Sequence, residues 1–361
     1  GMMAGADELD LGDDHSGIVE LDPATTKAGD DFAKLFELDD IILDIENKSL
    51  THRPDTFGII GFAREVAGIL GQKFQTPDWL LETKAAIENK GVKLEIEIAD
   101  NELCPRYTAV VLGTEGDHKK PYLTYEDTLL ARSGMRPIDA IVDITNYIML
   151  LTGQPLHAFD YDKFVAVGGI ETPKIIVRAA KSGEKLTLLD GKEVELVESD
   201  IVITSNNIPV ALAGAMGGAN TEIDENTKRV ILESATFSLY NLRKTQMAHG
   251  IFSEAITRFT KGQPAGQTLP VALYATKLLE EYMTPIAVFD SQKETPTVAP
   301  VVLPLTQLNS LLGTDFSAEQ AKDILENVEF SIKLDGDNLV ATAPYWRTDI
   351  HIPEDVIEEV G

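Results

Sequence analysis

Residues able to do chemistry cluster where polar side chains interrupt apolar runs. Val142-Asp143-Ile144-Thr145-Asn146-Tyr147 is followed by Gly153-Gln154-Pro155-Leu156-His157-Ala158-Phe159-Asp160. A hydroxyl, an amide or an imidazole buried without a partner costs about 1–3 kcal/mol. The partner here is either the protein's own backbone or a ligand, with His157 holding that ligand or a water. The glycines of Leu212-Ala213-Gly214-Ala215-Met216-Gly217-Gly218 either let backbone N–H groups approach a ligand or relieve a strained loop. Ile231-Leu232-Glu233-Ser234-Ala235-Thr236-Phe237 carries a carboxylate between apolar residues, so Glu233 is either buried with a partner or on a solvated edge. In His249–Phe259, Ala255 is placed to line a pocket and Arg258 to pair with a carboxylate or a phosphate. With Pro353 at the first helical position, Asp355, Glu358 and Glu359 share one patch of a helix face. Like charges packed this way repel unless a hard cation such as Mg²⁺ or a basic partner joins them; the alternative is acidic residues favoured by a helix N-terminus.

Composition excludes several classes. The 361 residues include 31 Lys or Arg against 59 Asp or Glu, a net charge of −28. An extended basic surface for DNA or RNA is therefore not expected, although one end of an RNA could enter a local pocket. Cys104 is the single cysteine, which excludes an internal disulfide framework and a cysteine-rich zinc site and makes a cytoplasmic origin the simplest reading. No apolar run approaches the roughly 18 residues of a membrane span, and the acidic N-terminal stretch lacks the apolar core of a signal peptide. Phosphate-loop, GxSxG, HExxH and post-strand GxGxxG signatures are missing.

The elements that must position these residues form an α+β multidomain chain. Residues 1–74 form an incomplete N-terminal module, with strand-like Ile18–Leu21 and Ile41–Glu46 and an amphipathic helix from Pro54 to Leu70 stopped by Gly71. Residues 75–98 read as a connection with a short helix near Trp79–Glu88. A central domain spans 99–290 with a substantial sheet. It opens on a strand at Tyr107–Leu112, then a helix at Tyr122–Arg132 and a short buried strand at Ile141–Ile144 running into Thr145. Strands alternate with turns from Ile175 to Leu232, and helices follow at Leu239–Met247, Ser253–Thr260 and Leu269–Met283. Residues 291–300 read as a linker. Beyond it, a helix at Leu305–Leu312, a second opened by the Ser317/Gln320 capping box, and a hairpin turned at Asp335-Gly336-Asp337 make 301–361 a winged-helix-like module.

Taken in order along the chain, these segments resemble one family. Thr51-His52-Arg53-Pro54-Asp55 with Ala63-Arg64-Glu65-Val66-Ala67, the stretch from Arg136 to Asp160, Ala213–Gly218, Leu232-Glu233-Ser234-Ala235 and Tyr345-Trp346-Arg347-Thr348-Asp349-Ile350 are similar in register to the β subunit of bacterial phenylalanine–tRNA ligase. The resemblance covers essentially the whole chain, and implies a fragment beginning after the oligonucleotide-fold insertion and ending before the catalytic-like and anticodon-binding domains. It implies that the central domain is an editing domain that hydrolyses tyrosine wrongly esterified to the phenylalanine tRNA. Thr145, Asn146, His157, Gly214, Glu233 and Ala255 match its pocket. Glu233 would recognise the para-hydroxyl, and His157 with Thr145 would place the ester and water. Residues 301–361 match a domain that packs against the α subunit of an α2β2 heterotetramer. Asp349, Asp355, Glu358 and Glu359 match its Mg²⁺ positions shared with that subunit, through which alone ATP would enter. The implied partners are that subunit and the tRNA acceptor end. Ile251–Gly262 departs from the family's Leu-Arg-Thr-Glu-Ala…Arg-Phe-Glu-Arg-Gly form, losing an arginine.

The implied chemistry has a simple physical basis. An apolar phenylalanine pocket rejects a substrate with one added hydroxyl by only roughly 10²-fold. A second site that hydrogen-bonds that hydroxyl inverts the selection, because phenylalanine there leaves a desolvated carboxylate unpaired. The ester is already activated, so positioning water and stabilising the oxyanion can suffice, with backbone N–H groups near Gly214 as donors. His157 is expected mainly to position water rather than act as a base. The rival reading is a non-catalytic scaffold for the α subunit and tRNA, with a vestigial pocket.

Overall fold

The computed structural model describes residues 3–361 except 13, 14, 16, 115–117, 119, 170, 171 and 293–297. The linker expected at 291–300 therefore lies partly outside the described residues. In the N-terminal part, helix α1 (Phe32–Leu35) is followed by a 3₁₀ turn at Pro54–Phe57 and helix α2 (Ile59–Ile69). The Pro54–Leu70 helix is thus split. Gly58 adopts extended backbone between the two pieces, which re-aims the chain. The stretches expected as strands, Ile18–Leu21 and Ile41–Glu46, join no ladder. Alternation alone gives a strand nothing to pair with.

In the central part the order is β1 (Glu95–Ile98), β2 (Arg106–Gly113), α3 (Tyr125–Arg132), α4 (Ala140–Thr152), β3 (Leu156–Asp160) and α5 (Tyr161–Gly168). Next come β4 (Lys174–Ala179), β5 (Lys185–Thr187), β6 (Glu193–Glu195), β7 (Ile201–Ser205), β8 (Ile208–Leu212), β9 (Met216–Gly217) and β10 (Arg229–Thr236). Helices α6 (Leu239–His249), α7 (Glu254–Phe259) and α8 (Thr268–Leu279) precede β11 (Thr284–Asp290). Three sheets result: a four-stranded one in the order β11-β2-β10-β3, a five-stranded one in the order β1-β4-β7-β8-β9, and the two-stranded pair β5-β6.

The four-stranded sheet is buried on both faces, and its side chains sort by parity. Tyr107, Ala109, Val111, Phe159, Ile231 and Ala235 face the core shared with the five-stranded sheet. Val110, Leu112, Ala158, Val230 and Leu232 face α4 and α8. The strand expected at Ile141–Ile144 is instead the first turn of α4. Asp139 caps it by accepting hydrogen bonds from the Ile141 and Val142 N–H groups, and the helix runs on to Gly153 at φ +77°. Ile141, Ile144 and Ile148 recur at helical spacing against α8, so the β-branched run buries one stripe rather than alternating. The helix expected at Trp79–Glu88 is a single 3₁₀ turn at Asp78–Leu81, anchored by Trp79 stacked on Tyr274 at 4.0 Å.

The C-terminal part comprises β12 (Val301–Pro304), α9 (Leu305–Leu312), α10 (Ala318–Asn327), the hairpin β13 (Ser331–Asp335) and β14 (Asn338–Thr342), and α11 (Pro353–Val360). β12 adds a third strand to the hairpin, in the order β12-β14-β13, and the Ser317/Gln320 capping box is present on α10. A separate core forms from Leu303, Leu308, Leu325, Leu339, Val356 and their neighbours. No helix among the described residues is long and apolar enough to cross a membrane.

Candidate active site between the two sheets

Strand register builds the site. Glu233 on β10 pairs with Ala109 on β2 and with His157 on β3. Cross-strand partners share a face, so the carboxyl and the imidazole stand side by side toward the sheet-on-sheet interior. Ala109 leaves room beside the carboxyl, and Tyr107, one pleat away, donates its O–H to Glu233 Oε2 at 2.9 Å. Glu233 is 5% exposed. Among the described residues, nothing in the protein hydrogen-bonds its other oxygen.

His157 lies edge-on to Phe159, with ring centroids 4.5 Å apart. Gly217 of β9 backs it so closely that a Cβ there would lie 2.5 Å from the ring Cε1 and 2.6 Å from Nε2. Gly214 turns β8 into β9 at φ +65°, and a Cβ on it would meet Leu242, Phe259 and Phe237. Ser253 ties this turn to α7: its hydroxyl donates to the Ala215 carbonyl at 2.9 Å and accepts from the Ile256 N–H at 3.2 Å. A cavity of about 260 Å³ results, and Asn146, His157, Gly214, Glu233 and Ala255 all line it.

Thr145 does not line it. Helix α4 turns Asn146 and Met149 toward the cavity, while the Thr145 hydroxyl donates to the Val142 carbonyl at 2.7 Å. The expectation of Thr145 in the pocket came from the family resemblance; on the helix, Asn146 and Met149 take the cavity-facing positions instead. Arg258 takes a carboxylate rather than a phosphate: it is buried and bonds the Phe57 and Glu254 carbonyls and the Glu254 side chain. Tyr107, Met149 and Leu189 contribute although the sequence assigned them no such role, whereas Gly217 belongs to the glycine run that it did single out. For Tyr107 the only signal is the β2–β10 register, which the sequence does not print.

The electrostatics differ from the anionic site that sequence reasoning expects. Burial pushes the Glu233 carboxyl up from 4.5 to about 8, against the opposing hydrogen bond from Tyr107. Burial likewise pushes His157 down from 6.5 to about 4. At neutral pH the pair is therefore mostly a carboxylic acid beside a neutral imidazole. A neutral carboxyl both donates and accepts, so it still complements a phenol.

The acids expected to hold Mg²⁺ are dispersed. Arg347 grips Asp349 through Nε at 2.9 Å and Nη2 at 2.6 Å, and reaches Glu359 through Nη2 at 2.7 Å. Asp355 caps α11 by accepting from the His351 and Ile352 N–H groups at 2.8 and 2.9 Å. Glu358 is exposed. Among the described residues no three His, Cys, Asp or Glu side chains converge as a metal site requires. Arg347 is a basic partner for two of these acids, Asp349 and Glu359.

Two family models match the chain: the B3/4 domain over residues 103–284 and the tRNA synthetase B5 domain over 301–361. It is 36% identical over its whole length to the phenylalanine–tRNA ligase beta subunit of Desulfotalea psychrophila, covering 43% of that protein. It is 37% identical to that of Anaeromyxobacter dehalogenans and 38% identical to that of Lactobacillus acidophilus, again over its whole length and covering 44% of each. The chain belongs to the phenylalanine–tRNA ligase beta subunit family. It spans less than half the length of these relatives. A solved N-terminal fragment of the phenylalanyl-tRNA synthetase beta subunit from Pyrococcus horikoshii aligns with a TM-score of 0.40 at 17% identity, covering 86% of this chain and 83% of that one.

Proposed function

We propose that the central domain hydrolyses tyrosyl esters of phenylalanine tRNA, and that the chain works in an assembly whose α subunit binds ATP and performs aminoacylation. One observation carries the reading: a buried carboxyl with one oxygen free of protein partners faces an amino-acid-sized cavity, paired in register with an imidazole. The phenol of a bound tyrosine meets the free Glu233 oxygen. Phenylalanine in its place leaves that buried group unsatisfied, a penalty of about 1–3 kcal/mol.

His157 then lies beside the ester end of the substrate. An imidazole titrating near 4 is a weak base at neutral pH, so it orients the attacking water as acceptor or donor and leaves proton removal to solvent. Asn146 and the backbone of the Gly214 turn hold the ester, and turn N–H groups serve the developing oxyanion.

Deacylation of tyrosyl- and phenylalanyl-tRNA by wild type and Glu233→Ala tests the reading. Wild type should prefer the tyrosyl ester, and the variant should lose roughly ten-fold or more of that preference. Equal rates on both esters in wild type, or none, would leave the scaffold reading in its place.

A further inference from the structure

The rim of the cavity has an unusual charge and apolar pattern. In a chain of net charge −28, helix α6 carries Arg243 and Lys244 and no acid, and its Leu242 reaches the Gly214 turn of the cavity wall. Beyond it Phe252 is 75% exposed, immediately before Ser253, Glu254 and Ala255 of the cavity wall. Tyr240, Lys244 and Met247 lie at i, i+4 and i+7 on the exposed face of α6, the two apolar ones 69% and 77% exposed. Among the described residues no ion pair engages Lys244. Across the mouth, Leu189 lines the cavity from the β5–β6 turn, and Lys192 of that turn donates to the His249 carbonyl at 2.8 Å.

We propose that Phe252 is a stacking platform for the terminal base of a single-stranded RNA end, with the cationic face of α6 taking the phosphates behind it. This rests on the proofreading reading: an ester held in the cavity leaves the nucleoside that carries it outside the wall, and exposed Phe252 directly precedes the wall residues Ser253–Ala255. A helix face with cations and no acid complements a phosphate backbone, and every base offers a π-face to an aromatic ring. Phe252 is exposed, so it needs no folding contact that a substitution would remove.

The test uses the whole chain and deacylated phenylalanine tRNA whose 3′-terminal adenine is replaced by fluorescent 2-aminopurine. Wild type should bind and quench the fluorophore. Phe252→Ala should weaken binding about ten-fold and abolish quenching, Phe252→Trp should restore both, and Lys244→Glu should weaken binding with a shallower salt dependence. Unchanged affinity and quenching in Phe252→Ala, or no tRNA binding by wild type, overturns the platform. Deacylation of tyrosyl-tRNA run in parallel separates the two ideas. Binding and quenching without hydrolysis removes the proofreading reading and keeps the platform, whereas hydrolysis by Phe252→Ala at the wild-type KM removes the platform alone.

Discussion

Two buried polar regions of this molecule reach opposite protonation states. Between the sheets, Glu233 is buried and His157 half-buried, neither with a counter-charge, and desolvation drives both toward neutrality. At the seam between the N-terminal and C-terminal parts, Arg53, Arg64 and Arg347 are as deeply buried but fully partnered. Arg53 bonds Asp55 through Nε and Nη2, each at 3.0 Å, and Glu65 at 2.8 Å; Arg64 bonds Glu329 at 2.9 Å. Burial would raise the Asp349 carboxyl, yet the hydrogen bonds and charge of Arg347 hold it below the ordinary range. Desolvation is common to both regions, so the supply of counter-charge decides the outcome. Paired charges fix how two modules sit; lone titratable groups stay free to answer a ligand.

The sharpest break of this contrast is Arg347→Met. It strands Asp349 and Glu359 without their partner and should cost about 3–5 kcal/mol in urea unfolding. A loss under about 1 kcal/mol would mean the seam is merely solvated. Next is Gly217→Ala. Its Cβ collides with the His157 ring, so about 1–3 kcal/mol of stability should go, and deacylation should slow by no more than in His157→Ala. Unchanged activity would show that the imidazole position is not critical.

The pH dependence is subtler. Between 4.5 and about 8 the folded chain keeps a proton on Glu233 that the unfolded chain has released, so this group's contribution to stability falls as pH rises through that window. His157 has the opposite sign: between about 4 and 6.5 the unfolded chain binds the proton, so stability rises with pH. Unfolding midpoints across pH should show a decline toward pH 8 that Glu233→Gln removes; a decline that persists in the variant belongs to another group. The smallest effect is expected from His157→Ala, which should slow deacylation by well under the roughly 10²-fold typical of a lost general base. A larger drop would assign proton abstraction to the imidazole.

Much of the architecture is legible in local sequence. Gly191 and the Asn206-Asn207 pair turn hairpins at positive φ, and Ser317 with Gln320 opens α10. The failures share a cause. Ile141–Ile144 looks like a strand because β-branched residues suit both a buried strand and a buried helical stripe. Only the Asp139 cap and the facing α8 resolve it, and Thr145 leaves the cavity with that resolution. The acidic patch near Glu358 is legible as a repulsion needing relief, but its partner Arg347 lies twelve residues before Glu359 and is brought in by the fold.

By itself, the sequence determined several tight turns and the α10 capping box, the unusual carboxyl, imidazole and glycine positions, and the acidic net charge, because each depends on residue type and near-neighbour spacing. Tertiary structure alone decided that Glu233 stands opposite His157, that Tyr107 bonds it, and that burial pushes its carboxyl up toward the neutral form. Register and desolvation are set by chains that meet from far apart in sequence, and no local pattern encodes them.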